Sequence, residues 1–256
     1  MIDSHAHLSL GKIYAAFGED KLLMAMESAG IHYGVVSLLD VMEYGHQHQS
    51  DPLPTLSEWE GARMISKQCT SSRLFPLVWA RPHDEKKEDF FEWLAENHQK
   101  FYGFKFHPFH SRTPLDHSVW EPYFRFAAKY GWPVVVHTAA DEFSRPELVK
   151  SWIEKYPQVS FVLIHMGLYT DHEEAVKMVA NYPNVFGDTT WVLEEKIWSI
   201  LERCGAEKIL FGSDALVGGE DTYAFYQGFL SRLQEFPELF SLITHENAKK
   251  IFHLPC

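Results

Sequence analysis

The sequence predicts an α/β chain, a single-domain (β/α)8 barrel of the TIM type over residues 1–256, and three observations predict it. Short runs rich in β-branched and aromatic residues recur eight times along the chain. Each is followed by a longer stretch with amphipathic, helical patterning, the alternation expected of repeated βαβ units around a parallel sheet. Several of the runs end on their C-terminal side in one histidine or aspartate, which packing alone explains poorly. A length of 256 residues is enough for one such barrel and requires no second domain.

In chain order, the first strand is read at residues 2–7, where Ile2 precedes His5 and His7. Residues 34–40 follow with Val35 and Val36, then residues 74–81 with Phe75, Val78 and Trp79. The fourth strand is residues 103–107 and the fifth 133–138, in which Val134, Val135 and Val136 lead to His137. The sixth, residues 160–165, runs from Phe161 to His165; the seventh is residues 184–189, and the eighth, residues 209–214, ends at Asp214. Helical patterns separate them at residues 21–29, 57–70, 86–98, 120–130, 146–155, 171–181 and 193–203. Two more patterns, residues 223–233 and 236–252, close the chain, and one of them would complete an outer ring. A doubly wound open sheet also alternates strands and helices, but normally with fewer units. Residues 41–55 lack periodicity and hold Gly45, His46, His48, Pro52 and Pro54, which makes them a candidate lid.

A hydrophobic share of 46% with 23% charged residues fits one globular domain with a substantial core. The net charge of -12 opposes binding to a phosphate backbone, so nucleic acid is not expected as a partner. The three cysteines, Cys69, Cys204 and Cys256, form no CxxC pair. Neither a disulfide framework nor a thiolate zinc site is indicated, and a reducing cytoplasm is the expected location. The chain opens on a strand rather than a basic and apolar leader, and it has no apolar run long enough to span a bilayer. No membrane association is expected.

The chemistry gathers at the strand ends. His5 and His7 lie two apart on one strand and therefore project from the same face. Alone, such a pair is more often structural than metal-binding. His137, His165 and Asp214, however, each close a separate predicted strand at the C-terminal side, where barrel active sites form. Imidazole and carboxylate donors suit zinc first, and also manganese, iron or cobalt. The competing reading is a set of packed histidines in a barrel lumen.

Asp3-Ser4-His5-Ala6-His7, His137-Thr138, His165-Met166-Gly167 and Gly212-Ser213-Asp214 resemble the successive metal-site motifs of the amidohydrolase superfamily, a resemblance that spans nearly the whole chain. Gly103-Phe104-Lys105-Phe106-His107-Pro108 and His245-Glu246-Asn247-Ala248, with Ile251-Phe252, resemble its amidohydrolase-related (amidohydrolase 2) branch, which includes lactonases and nonoxidative decarboxylases. The resemblance implies one divalent metal on His5, His7, His137 and Asp214, with His165 beside it as acid, base or carbonyl polariser. Asp214 would also take a proton from a metal-activated water.

Lys105 ends the fourth strand, where binuclear members of the superfamily carry a carbamylated lysine between two ions. In the branch favoured here the Gly-Phe-Lys pattern accompanies one ion, so Lys105 is assigned to substrate binding, with a second ion only if it is carbamylated. His107, two residues on, shares its face. Arg81, ending the third strand, would hold a substrate carboxylate or pair with an acid. His46 and His48 are read as solvent-exposed; Trp79, Phe104, Phe106 and Trp191 would wall a pocket or pack in the core.

The leading expectation is metal-dependent hydrolysis of a small-molecule amide, ester or lactone. Nonoxidative decarboxylation of an aromatic or unsaturated carboxylic acid is the alternative, and Arg81, Lys105 or Arg112 converging on a pocket would favour carboxylate recognition. The TatD-like deoxyribonucleases share the initial HxH, but a glutamate ligand would be expected near the fourth strand, where this chain has Lys105. A noncatalytic metal-binding or scaffold protein would show a filled or closed pocket. A homodimer is suggested by analogy with the branch alone.

Overall fold

The computed structural model of the chain describes residues 1–45 and 52–256. Nine parallel strands are present in it: β1 (Ile2–Leu8), β2 (Tyr33–Leu38), β3 (Leu74–Pro76), β4 (Val78–Trp79), β5 (Phe104–Phe106), β6 (Val134–Ala139), β7 (Phe161–Leu168), β8 (Val185–Asp188) and β9 (Ile209–Leu210). The helices between and after them are α1 (Glu19–Ser28), α2 (Glu58–Gln68), α3 (Lys87–Asn97), a short α4 (Pro108–Ser111), α5 (Glu121–Tyr130), α6 (Lys150–Lys155), α7 (Glu173–Asn181), α8 (Glu194–Cys204), α9 (Gln227–Leu233), α10 (Pro237–Ser241) and α11 (Asn247–Ile251). Among the described residues, no helix is long and apolar enough to cross a membrane.

The strands form two sheets, β1-β2-β3 and β4-β5-β6-β7-β8-β9, with every pairing parallel. The run predicted as one strand at 74–81 is thus two pieces hinged at Leu77. Its N–H bonds Val36 O at 2.8 Å, while the next N–H, of Val78, bonds Gly103 O at 3.0 Å. The chain changes neighbour there, from β2 to β5. The predicted last strand, 209–214, keeps a regular ladder only through Leu210, and the residues beyond it turn to β1. Ser4 N donates to Phe211 O at 2.9 Å, Asp214 N to His5 O at 2.8 Å and His7 N to Ala215 O at 2.6 Å.

Side-chain alternation divides the core in two. One set, including Val36, Val134, Val136, Phe161, Leu163 and Ile209, packs against helix residues such as Met26, Ile65, Leu94, Phe124 and Val179. The other set, including Ile2, Val35, Leu77, Val135, Val162, Ile164 and Leu210, meets Ile251 and Phe252 from the end of the chain. Full burial of each such side chain stabilises the fold by roughly 1.5–3 kcal/mol. The inner apolar set lies toward the N-terminal half of the strands, which leaves their C-terminal ends for polar side chains.

Helix α2 starts in a reciprocal cap, Ser57 Oγ accepting from Glu60 N and the Glu60 carboxylate accepting from Ser57 N. Helix α5 buries Tyr123, Phe124, Phe126 and Ala127 on one face and stops at Gly131, whose φ of 70° is left-handed. Two expected helices are broken. Residues 146–155 begin as a 3-10 turn, Pro146–Val149, before α6, and residues 236–252 are α10, a π turn (Leu242–Glu246) and α11. Short α4 lay outside the pattern read from sequence. Of the candidate lid, His46 and His48 fall outside the described residues. The flanks are tied down by hydrogen bonds from Leu53 N to Glu43 O (2.7 Å) and Tyr44 N to His110 O (3.0 Å).

Candidate functional site

A cavity of about 560 Å³ opens at the C-terminal ends of the strands, with His5, His7, Lys105, His107, His137, His165 and Asp214 in its lining. These residues come from β1, β5, β6 and β7 and from the segments that follow β5 and β9. Period-two alternation sorts β5: Lys105 faces the cavity, while Phe104 packs on Tyr123, Phe126 and Trp132, and Phe106 on Trp120 and Phe124. Phe104 and Phe106 therefore belong to the core. Trp79 and Trp191 do line the cavity.

Three donor atoms converge at its buried end. His5 Nε2 lies 3.1 Å from His7 Nε2, His7 Nε2 lies 2.8 Å from Asp214 Oδ1, and His5 Nε2 lies 3.5 Å from the same oxygen. Ligands about 2.0–2.2 Å from a shared ion are about 3 Å from one another, so the triangle has the size of one face of a coordination polyhedron. His7 Nε2 is hydrogen-bonded to Asp214 Oδ1 and His5 Nε2 to Lys105 Nζ, contacts whose protons a shared cation would replace. Each ring's other nitrogen has a hydroxyl neighbour: Thr190 Oγ1 at 3.2 Å from His5 Nδ1, and Ser37 Oγ at 3.0 Å from His7 Nδ1. This donor set fits a divalent ion.

The electrostatics agree. Burial lowers the pKa of both His5 and His7, and the Lys105 ammonium adds to this, leaving neutral imidazoles. Burial opposes the charge on Asp214, but the facing His5 and the hydrogen bond with His7 outweigh it and hold the carboxyl well below the usual carboxylate range. Burial brings Lys105 down to about 8 against the pull of Asp214 and Asp188; its Nζ lies 2.9 Å from His5 Nε2.

His137 departs from the expected ligand set. It lines the cavity but lies outside the group formed by His5, His7 and Asp214. Its ring stacks on His107, with centroids 3.8 Å apart and planes 14° from parallel, and this stack sets its direction. His107 continues the stack to Trp79 and has a buried Nδ1 without a hydrogen-bond partner among the described residues. His165 stands edge-on to both His5 and His137, at centroid distances of 5.6 and 4.8 Å, and burial lowers its pKa to about 4. His165, Trp191 and Asp214 all hold left-handed backbone, with φ of 66°, 56° and 65°. Such strain collects where side chains are held for a purpose. Gly187 makes the turn after His165 possible, since a Cβ there would lie 2.0 Å from Met166 Sδ.

Arg81 does not reach the cavity. Its guanidinium bonds Asp84 at 2.8 Å, Thr55 Oγ1 at 3.0 Å and the carbonyls of Leu56 (2.6 Å) and Val41 (3.2 Å). Asp84 follows Arg81, whereas Val41, Thr55 and Leu56 belong to the connection between β2 and α2, so the side chain folds away from the site and ties two connections together. Arg112 is likewise engaged elsewhere, 4.1 Å over the Tyr44 ring.

Several residues were not singled out from sequence. Asp188 closes β8 with its side chain buried; its Oδ1 accepts from His165 N at 2.8 Å, and its Oδ2 lies 3.6 Å from His5 Nδ1. Its signal was present, because it too is a lone acid at the end of an apolar run. Asp3, raised to about 7 by burial, accepts from Ser213 Oγ at 2.5 Å, Tyr223 OH at 2.8 Å and His5 N at 3.0 Å, and so joins β1 to the Asp214 segment. Trp191, read from the sequence as a pocket wall, has the further role of donating from Nε1 to Asp214 Oδ2 at 2.8 Å, which fixes the carboxylate's second oxygen.

The amidohydrolase family model (amidohydrolase 2) matches residues 2–254. Among solved structures the chain is similar to a zinc-bound amidohydrolase from Burkholderia multivorans, with 15% identity, TM-score 0.73 and 99% of both chains covered. It is also similar to 2,6-dihydroxybenzoate decarboxylase from Rhizobium, with 13% identity, TM-score 0.74, and coverage of 100% of this chain and 99% of that one. A manganese-bound 5-carboxyvanillate decarboxylase variant from Novosphingobium aromaticivorans aligns with 13% identity and TM-score 0.70 over 99% of this chain and 97% of that one. At these identities the likeness establishes a shared fold. No curated protein matches the sequence significantly.

Proposed function

The chain belongs to the amidohydrolase family, and from that membership we propose that it is a metal-dependent hydrolase acting on a small-molecule amide, ester or lactone. The observation that carries this reading is the convergence of His5 Nε2, His7 Nε2 and Asp214 Oδ1 at the buried end of an open cavity. A filled interior, expected of a noncatalytic scaffold, is not what surrounds them. The hydrogen bonds from β1 to the segment 211–215, with the neighbour change at Leu77, support one closed (β/α)8 barrel as a single domain over residues 1–256.

His5, His7 and Asp214 would hold the ion, with His137 joining them by turning off its stack on His107. Zinc suits two neutral imidazoles and a carboxylate, and manganese, iron or cobalt would fit the same donors. When bound, the metal supplies a water that ionises near neutral pH and a pole for the substrate carbonyl. Asp214 is ionised and borders that position, so it would accept a proton from the attacking water and return it to the leaving group. His165, neutral at pH 7, borders the cavity as a second proton-accepting group for the reacting water or substrate. Lys105 and His107 bind the substrate's polar groups. Trp79 and Trp191 wall the cavity and exclude water from it.

One observation favours nonoxidative decarboxylation of an aromatic or unsaturated acid as the second reading. Lys105 is a buried amine whose hydrogen-bond partner among the described residues is a neutral imidazole, which leaves its charge for a substrate carboxylate. A second ion would require the carbamate of Lys105. Metal content per chain, measured by plasma mass spectrometry on protein purified without chelator, tests the proposal together with a screen of lactones, esters, amides and aromatic acids. About one equivalent of metal with turnover of a carbonyl substrate is expected. Equally little metal in wild type and in a His5→Ala/Asp214→Ala variant, even after loading with zinc or manganese, would sink it.

A further inference from the structure

We propose that Thr190 and Asp188 are positioning residues that lock His5 and His165 in the tautomers the metal centre needs. The inference rests on the reading of His5, His7 and Asp214 as metal ligands. It starts from a count of protons. A hydroxyl has one proton to give, and Thr190 Oγ1 gives it to Asp188 Oδ2, the shortest contact in the group. Toward His5 Nδ1, 3.2 Å away, that oxygen is then left to accept. His5 must carry its proton on Nδ1, which leaves the Nε2 lone pair to accept from Lys105 Nζ, 2.9 Å away, or to bind an ion shared with His7 and Asp214.

The same three-residue segment fixes His165. Its Nδ1 lies 3.3 Å from the backbone carbonyl of Thr190, and a carbonyl accepts only, so the ring proton sits on Nδ1 and Nε2 is left as the base. Asp188 Oδ1 meanwhile accepts from His165 N at 2.8 Å and holds the left-handed backbone from which the ring projects. Both rings are thereby referenced to one residue, Thr190, through its hydroxyl and its carbonyl. His7 differs: Ser37 Oγ is 3.0 Å from its Nδ1, and the ring also donates to the Ser37 backbone, so its tautomer does not depend on a side-chain hydroxyl.

The test is zinc affinity of the metal-free protein by competition with a chromophoric chelator, in wild type and in Thr190→Val, Thr190→Ser, Ser37→Ala and His5→Ala. Thr190→Val is expected to weaken zinc about 10- to 100-fold, with Thr190→Ser restoring most of the loss and Ser37→Ala costing less than Thr190→Val. If His5→Ala binds zinc like wild type, the metal reading itself fails. If His5→Ala loses zinc while a folded Thr190→Val keeps wild-type affinity, the positioning role alone is overturned. Nitrogen NMR of histidine-labelled, zinc-free wild type needs no variant to fold: Nδ1–H signals for His5 and His165 support the proposal, and an Nε2–H tautomer at either overturns it.

Discussion

Two polar clusters lie near the C-terminal ends of the strands, and they differ in how their hydrogen-bonding capacity is used. Around Arg81, donors and acceptors answer one another. Glu58 accepts from Arg81 N at 3.0 Å, from Tyr123 OH at 2.6 Å and from the Lys87 ammonium, while Asp84 bridges Arg81 Nε and Glu58 N. Around His5 two imidazole nitrogens and a carboxylate face one point, with Lys105 Nζ and Trp191 Nε1 as the neighbouring donors. A filled cluster joins elements of the fold, whereas a surplus of converging lone pairs describes a place for a cation. Strand-end position, which drew attention to both Arg81 and His137 in the sequence, does not separate these cases; the chemistry of the neighbouring groups does.

The largest expected effect strikes the open cluster. Removing a ligand with His5→Ala or Asp214→Ala should bring metal from about one equivalent to nearly none and lower kcat/KM at least about 1,000-fold, since a metal contributes several kcal/mol to the transition state. Plasma mass spectrometry and initial rates check this, and circular dichroism confirms the fold. A variant that kept its metal would erase the distinction between the clusters.

The filled cluster should respond in stability instead. Glu58→Ala removes the buried acceptor of the Arg81 N–H and the Tyr123 hydroxyl and leaves the Lys87 ammonium to the Arg81 carbonyl and Tyr123, which should cost about 1–3 kcal/mol, read by urea unfolding. Metal content should stay at the wild-type value in the folded fraction. Loss of metal from a folded Glu58→Ala protein would mean that the two clusters are coupled and the comparison is too sharp.

The strand-by-strand pattern was legible because each strand is buried on both faces and reads as an apolar run. Where the chain leaves regular pairing, the pattern ran on past the structure. Leu77 hinges two short strands inside one apolar run, and Phe211 to Asp214 bond to β1 outside a regular ladder. His5, His7, His165 and Asp214 were legible from polarity at strand ends. The same signal over-reached at Arg81, whose long side chain turns to acceptors on neighbouring loops, and was passed over at Asp188. Nor could spacing show that His137 stacks on His107, since ring orientation depends on contacts between strands.

Lys105 lies between the two kinds of behaviour, as a charged donor with one imidazole partner. Lys105→Met should reduce kcat/KM about 10- to 100-fold, the worth of one charged hydrogen bond to substrate, and leave about one equivalent of metal bound. A fall from two equivalents to one would instead assign the lysine to a bridging carbamate. Either result sharpens the contrast, because no residue of the Arg81 cluster should change metal stoichiometry at all.

The smallest effect is a pH dependence next to the filled cluster. Burial raises the Glu43 carboxyl to about 8, against the pull of Arg81, from an ordinary value near 4.5. In the folded protein Glu43 therefore keeps its proton through a range in which the unfolded chain has lost it. Its contribution is complete below about 4.5 and is lost as the pH rises through 8, so stability should decline across that window by an amount on the order of 1–3 kcal/mol. Glu43→Gln keeps the shape and removes the proton, and should flatten the decline in urea midpoint between about pH 5 and 8. Metal affinity should be unaltered by the substitution. An unchanged slope would mean that Glu43 is ionised in the fold and is compensated by the Arg81 guanidinium, which would extend the balanced cluster by one more charge.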